Sequence, residues 1–172
     1  MQASFSFTTD TAALSIFDLQ AIRHRLDDTP DWWTLEEDEL EEINNGYIAL
    51  LHVEDDGTYD VHIMKAIEKA QVQCLIYAPS GQLFIGAAED ITGGDLEPDD
   101  SGVVSGQLWT VEPGVYALQV SLQQQTIQLA LQWLAATPID WQQSHSEQHI
   151  AEANMSEQGT VQLNSFEQRL RL

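Results

Sequence analysis

The sequence predicts a mainly β protein: an antiparallel β-sandwich preceded by two short N-terminal helices, so α+β in class. Three observations carry that prediction. Apolar residues alternate with period two in short segments from Tyr47 onward. Turn-forming residues separate those segments. Between residues 15 and 45 the apolar spacing is helical instead. At 172 residues, one domain is expected over 1–172, helical at about 15–45 and a sandwich at about 46–172. A chain of that length can bury a sizeable core without disulfides or metals.

Phe5-Ser6-Phe7-Thr8 alternates and predicts a first strand, broken by Thr9-Asp10-Thr11. Ser15 and Asp18 then form a capping-box-like pair. Leu19, Ile22 and Leu26 continue at helical spacing and predict a first helix. Arg23, His24 and Arg25 lie on it as a small basic island. Their plainest role is to neutralise nearby acids. Thr29-Pro30 ends this helix. Thr34 with Glu37 predicts a capping box for a second, stopped by Asn45-Gly46. Leu35, Leu40 and Ile43 give the second helix a thin apolar stripe, and its acids are expected on the outer faces.

After Gly46 the period becomes two. Tyr47–Val53 predicts a strand, and Asp55-Asp56-Gly57-Thr58 predicts a tight hairpin into Tyr59–Met64. His52 and His62 would then flank that hairpin. Ala66–Lys69 is a connection. Further strands are predicted at Val72–Tyr77, Gln82–Gly86, Gln107–Val111, Val115–Leu122 and Thr126–Leu134. Turns at Pro79-Ser80-Gly81, Pro113-Gly114 and Gln123-Gln124-Gln125 divide them. Between Ala87 and Gly106 runs a long loop rich in glycine and acids. Loops of that length are usually functional or disordered. Pro138 to Gly159 is polar, with Trp141, His145 and His149. Alternation returns at Thr160–Phe166, and a last strand runs toward Leu172.

Charge bounds the function. Six Lys+Arg against 28 Asp+Glu give a formal net charge of -22. Nucleic-acid binding and anionic membrane surfaces are disfavoured, since both need basic residues. A cationic protein partner is favoured, because complementary fields speed and select encounters. The plainer alternative is an acidic surface that serves only solvation. Cys74 is the only cysteine, so no internal disulfide forms, and its setting in Val72-Gln73-Cys74-Leu75-Ile76 predicts burial. The first residues lack a charged region and an apolar core of signal type, and no apolar run reaches membrane-spanning length. A reducing, cytoplasmic setting is expected.

The densest acidic stretch is Asp27 to Glu42. It contains Trp32-Trp33, and one of these adjacent indoles is expected to face outward. Exposed tryptophan beside acids suits an interface that meets cations. The predicted partner-binding residues are therefore Asp31, Trp32, Trp33, Glu36, Glu39 and Glu42. Asp90, Asp95, Glu97, Asp99 and Asp100 of the Gly-rich loop come second. That loop holds enough carboxylates for calcium but not the EF-hand spacing. His145-Ser146-Glu147-Gln148-His149 is not a zinc-protease motif and shows no third ligand. Thr92-Gly93-Gly94-Asp95 lacks the lysine of a phosphate loop, and no Gly-x-Ser-x-Gly occurs. The sequence thus predicts a binding protein rather than an enzyme, with no cofactor and no metal, and leaves its oligomeric state open.

Several segments carry a family resemblance. They are Phe7-Thr8-Thr9-Asp10-Thr11-Ala12 with Ile16-Phe17-Asp18, then Asp31-Trp32-Trp33, then Gly81-Gln82-Leu83-Phe84-Ile85-Gly86-Ala87-Ala88-Glu89. Gly93-Gly94 and Pro113-Gly114-Val115-Tyr116 follow. Together they resemble DUF6386, a family of small uncharacterised bacterial proteins, over most of the chain. The resemblance implies no activity and transfers no catalytic residue. More loosely, a small acidic β-rich chain is similar to bacterial immunity proteins. The expectation is an immunity-type protein that neutralises a basic toxin. The alternatives are a DNA-mimic regulator of a nucleic-acid-binding protein and a calcium- or carbohydrate-binding β-sandwich module.

Overall fold

A computed structural model describes residues 3–99, 101–138, 161–162 and 170–171. It contains two sheets. The first is six-stranded, in the order β1-β4-β9-β8-β5-β10. The second is five-stranded, in the order β11-β3-β2-β6-β7. In chain order the strands are β1 (Ala3–Thr9), β2 (Ala13–Asp18), β3 (Ile48–His52), β4 (Gly57–Met64), β5 (Val72–Ala78) and β6 (Gln82–Ala87). Then come β7 (Gly106–Thr110), β8 (Gly114–Gln123), β9 (Thr126–Ala135), β10 (Val161–Gln162) and β11 (Leu170–Arg171). One α-helix, α1 (Glu36–Asn44), lies between β2 and β3, with short 3-10 turns at Arg23–Arg25, Trp32–Thr34 and Ala88–Asp90.

The mainly β class holds, with three corrections. First, the sheets are mixed, because β4 pairs parallel with β9. β10 with β5 and β11 with β3 are also parallel pairs. The expected antiparallel sandwich is therefore replaced by two mixed sheets. Second, among the described residues the N-terminal part forms one α-helix and not two. The segment read as the first helix forms β2 and then a 3-10 turn. Every residue of β2 is buried, because Leu14 and Ile16 enter one apolar cluster on one face and Ala13 and Phe17 enter another on the opposite face. A strand covered on both faces loses its alternation, so Leu14, Ile16 and Phe17 give no period-two signal. Third, Asp55-Asp56-Gly57 does not close a hairpin. The chain crosses between sheets there: β3 pairs with β2, whereas β4 pairs with β1. His52 and His62 thus stand on different sheets.

The strands from β5 to β9 follow their expected segments within a residue or two. Tyr116, Leu118 and Val120 of β8, with Ile127 and Leu129 of β9, enter one apolar cluster. It also takes Leu14 and Ile16 from β2 and Leu83 and Ile85 from β6. Both sheets therefore share that cluster. A second cluster forms where Phe17, Ile48, Leu50 and Phe84 meet Trp32, Trp33, Ile22 and Ile91. This second cluster fixes the acidic segment onto the five-stranded sheet. His145, His149 and Trp141 lie outside the described residues.

Cys74 is buried in the first cluster, where burial pushes its thiol up to about 12. Its thiolate population at neutral pH is accordingly negligible. Iodoacetamide should leave the native protein unmodified for hours at pH 8 and alkylate it fully in denaturant, as read by intact mass. Rapid native alkylation would contradict this packing.

Candidate functional site

The acidic stretch folds around a cation. Arg25 is the hub: its Nε donates to Glu42 Oε1 at 2.7 Å, and Nη1 donates to Asp38 at 2.9 Å and Asp28 at 3.1 Å. Its Nη2 donates to Glu41 at 2.6 Å. The guanidinium carbon also lies 4.8 Å from the ring centre of Trp32. Only 11% of the Arg25 side chain is exposed. Burial alone would lower its pKa, but its hydrogen bonds to Glu42, Asp28 and Asp38 outweigh that and raise it. Arg25 therefore stays charged at every pH at which the protein folds. His24 Nε2 approaches the same Glu42 oxygen at 2.7 Å.

This hub reverses the expected faces of α1. Glu42 is fully buried and Glu39 is 3% exposed, although both were expected outside. Glu39 lies 3.4 Å from His52 Nε2. Leu35, expected in the apolar stripe, is 58% exposed. The helix turns two carboxylates inward because Arg25 and His52 lie beneath it. Nor does the expected capping box form: Leu35 is the N-cap, and Thr34 Oγ1 donates to the Asp31 carbonyl instead. Glu36 to Glu39 occupy the first turn, where the helix dipole favours anions.

Both tryptophans are buried, Trp32 at 2% and Trp33 at 7%. One was expected to be exposed. They lie on a 3-10 turn, where successive side chains diverge by about a third of a turn rather than pointing to opposite sides. Both can then enter the second cluster. Among the predicted partner-binding residues, Trp32, Trp33, Glu39 and Glu42 are thus interior. Asp31, Glu36, Asp95 and Asp99 are exposed, Asp90 and Glu97 are half-buried, and Asp100 lies outside the described residues.

The fold brings the two acidic stretches together, which spacing alone could not show. Gly94 N–H donates to the Asp28 carbonyl at 2.7 Å, and Asp95 N–H to the Leu26 carbonyl at 2.9 Å. Trp32 Nε1 donates to the Thr92 carbonyl at 2.8 Å. Glycine permits this contact. A Cβ at Gly94, where φ is +59°, would stand 2.6 Å from Pro30 Cγ. At Gly93 it would stand 3.1 Å from both the Thr29 carbonyl oxygen and the Trp32 ring. Exposed Arg23 reaches Glu97 at 3.5 Å. The far end of the loop is tied to β1 and β7. Glu89 accepts from Asp10 N–H and the Thr9 and Thr11 hydroxyls, and Asp90 accepts from Ser105 N–H. Burial opposes ionisation of Glu89, yet these donors outweigh it and hold the carboxyl below its ordinary value. Burial has the upper hand at Asp90 and raises it.

Where the loop meets Pro30 of the first stretch lies a groove of about 280 Å³, lined also by Ile91, Leu96, Glu97, Val103 and Val104 among others. No three His, Cys, Asp or Glu side chains gather in a metal-holding group among the described residues. Among the same residues, no helix is long and apolar enough to cross a membrane.

A family model described as a family of unknown function, DUF6386, matches residues 1–156. No curated protein matches the chain. Two solved structures are similar at low identity. One is named crocagin biosynthetic gene J: 16% identical, covering 77% of this chain and 96% of its own, with a TM-score of 0.48. The other is ComJ from Bacillus subtilis, described as an inhibitor of the DNA degrading activity of NucA. It is 11% identical, covering 78% of this chain and 99% of its own, with a TM-score of 0.45.

Two outcomes follow from these networks. Arg25→Met leaves Glu42 buried without its cation and should cost about 3–5 kcal/mol in urea unfolding. Arg25→Met with Glu42→Leu should recover most of that, and Glu36→Gln should change stability by less than about 0.5 kcal/mol. A single Arg25→Met within about 1 kcal/mol of wild type would contradict the hub. Glu89 has a depressed pKa, so its contribution is complete above the ordinary carboxyl value and is lost as pH falls through its folded value. Glu89→Gln should therefore flatten the acid side of the stability–pH curve and leave its neutral-to-alkaline shape unchanged, as measured by thermal melts from pH 3 to 8.

Proposed function

The chain belongs to DUF6386, a family whose description assigns no function, and from that premise we propose that it is an immunity-type inhibitor that binds a basic protein. The observation that carries the reading is the union of the two acidic stretches described above. Asp27, Asp31, Glu36, Glu37 and Glu41 are exposed on one stretch and Asp95 and Asp99 on the other, and the backbone bonds of Gly94 and Asp95 to residues 28 and 26 join the two stretches. The nearest cations do not offset them. Arg25 is committed inward, and Arg23 is engaged with Glu97. What remains is an outward field of one sign on a rigid base.

A field of that kind speeds encounter with a cationic surface and discriminates against anionic ones. Inhibition follows if the cationic surface is the partner's own substrate groove, as in a toxin that binds an anionic substrate. The partner-binding residues proposed are then Asp31, Glu36, Asp95 and Asp99 at the surface, with Asp90 and Glu97 in the groove. Trp32, Trp33, Glu39 and Glu42 act from beneath by holding the surface in shape. The reading requires no catalytic residue and no cofactor.

The test is affinity capture from lysate of the source organism, at low salt and again at about 0.5 M salt. Wild type is compared with an Asp31→Lys, Glu36→Lys, Asp95→Lys variant. These side chains are exposed, so the variant should keep its fold, with a slightly lower melting point because lysine opposes the helix dipole at position 36 and takes a positive φ of 62° at position 95. Wild type should retain one basic protein stoichiometrically through moderate salt, and the variant should lose it. A diffuse set of basic proteins that washes off equally from both would overturn the reading and leave the charge a solvating surface.

A further inference from the structure

The groove where the loop meets Pro30 has a chemistry that charge alone does not explain. Its floor is apolar: Ile91 is 4% exposed, and Pro98 is buried beside it. Its lips are apolar and outward, with Leu96 71% exposed and Val103 88% exposed. These are two of the few large hydrophobic side chains left in solvent among the described residues. Acids line the same groove. Glu97 is the telling one. One carboxylate oxygen faces Arg23 Nη1 at 3.5 Å, a long and exposed contact. The other, Oε1, is shut off from solvent and has no hydrogen-bond partner among the described residues. A buried acceptor left unpaired carries its full desolvation cost. Asp90, half-buried in the same lining, is also held above the ordinary carboxyl range by burial. Both carboxylates would gain from a nearby cation, whose field reaches the enclosed Glu97 oxygen while its donors meet the accessible ones.

Size narrows the occupant. About 280 Å³ lies just under the roughly 300–1,000 Å³ range of small-molecule pockets, so one side chain suits it better than a cofactor. The lining asks for an aliphatic stem against Ile91, Leu96 and Val103, and for a cationic head among Asp90, Glu97 and Asp99. An arginine side chain has both parts. Its guanidinium is flat, more weakly hydrated than an ammonium, and offers several donors in fixed directions. Arg25 shows the same chemistry within this fold, with its guanidinium over an indole and its donors on carboxylates.

We propose that this groove is an arginine-receiving pocket, into which the basic partner inserts one arginine from its surface. The proposal rests on the partner-binding reading above and gives it a point of insertion. The wide acidic field brings the partner in, and the groove selects a partner with a projecting arginine.

The groove is tested without the partner. The full chain, labelled with nitrogen-15, is titrated with n-butylguanidinium, with guanidinium, with n-butylammonium and with n-butanol. n-Butylguanidinium should give saturable amide shifts centred on residues 91–104, at least fivefold tighter than each of the other three. Val103→Trp narrows the groove from an exposed lip and so spares the fold. It should abolish the saturable component, and Glu97→Gln should weaken it at least threefold. Shifts spread evenly over exposed acids such as Glu36 and Asp60, or equal affinity for bare guanidinium, would overturn the pocket. Equal affinity for n-butylammonium would overturn the choice of arginine. The two readings fail separately. If n-butylguanidinium does not saturate while wild type still captures a basic protein, the pocket falls and the inhibitor reading stands. If it saturates and no basic protein is retained, the inhibitor reading falls and the pocket stands.

Discussion

The acidic half of this protein depends on one buried guanidinium. A nine-residue helix with six carboxylates and no base should repel itself. It is held because Arg25 lies under it and engages Asp38, Glu41 and Glu42 of the helix together with Asp28 of the preceding turn. Magnitude decides which partner matters. Glu42 is fully buried, so its pairing offsets a large desolvation cost, whereas the Glu41 side chain is 62% exposed and its contact is screened. The Arg25–Glu42 contact is therefore the structural one, and the others orient the same guanidinium.

Fixing Arg25 fixes Trp32, because the guanidinium lies over its ring. Trp32 in turn donates to the Thr92 carbonyl and lies against Gly93. The chain of contacts runs from the helix through the cation and the indole to the glycine loop. A long acidic loop would otherwise have few apolar contacts to order it. Here the backbone donors of Gly94 and Asp95 are satisfied by carbonyls of Asp28, a member of the arginine hub, and of Leu26, the residue next to Arg25. The groove thus exists because two separately acidic segments share one buried support.

Much of the strand pattern was legible in the sequence, and the reasons for the failures are physical. β8 and β9 were read correctly because each has one covered face, so Tyr116, Leu118, Ile127 and Leu129 alternate cleanly with less buried residues. β2 was not, because both of its faces are covered and period two vanishes. The Asp55-Asp56-Gly57 signal was real as a turn, but a turn signal does not state which sheet the next strand joins. At the candidate site, residue type was legible and direction was not. Glu42 is buried by a partner 17 residues earlier, a distance no helical period reports. The basic island Arg23-His24-Arg25 was the available clue. Of its three residues only Arg25 is buried among the carboxylates, whereas Arg23 stays in solvent.

The inward turn of Glu39 and Glu42 also sharpens what the outer acids can do. Exposed charges such as Asp31 and Glu36 are hydrated and screened, so they chiefly alter how fast a cationic partner arrives. They hold a partner weakly once it has arrived. Retention needs desolvated contact, and desolvated contact needs apolar surface beside the charge. On this protein the two coincide at the loop groove, where Leu96 and Val103 stand in solvent next to Glu97. An acidic surface that served only solubility would gain nothing from exposing those two side chains there. Selection for a partner that must both arrive and stay would keep them.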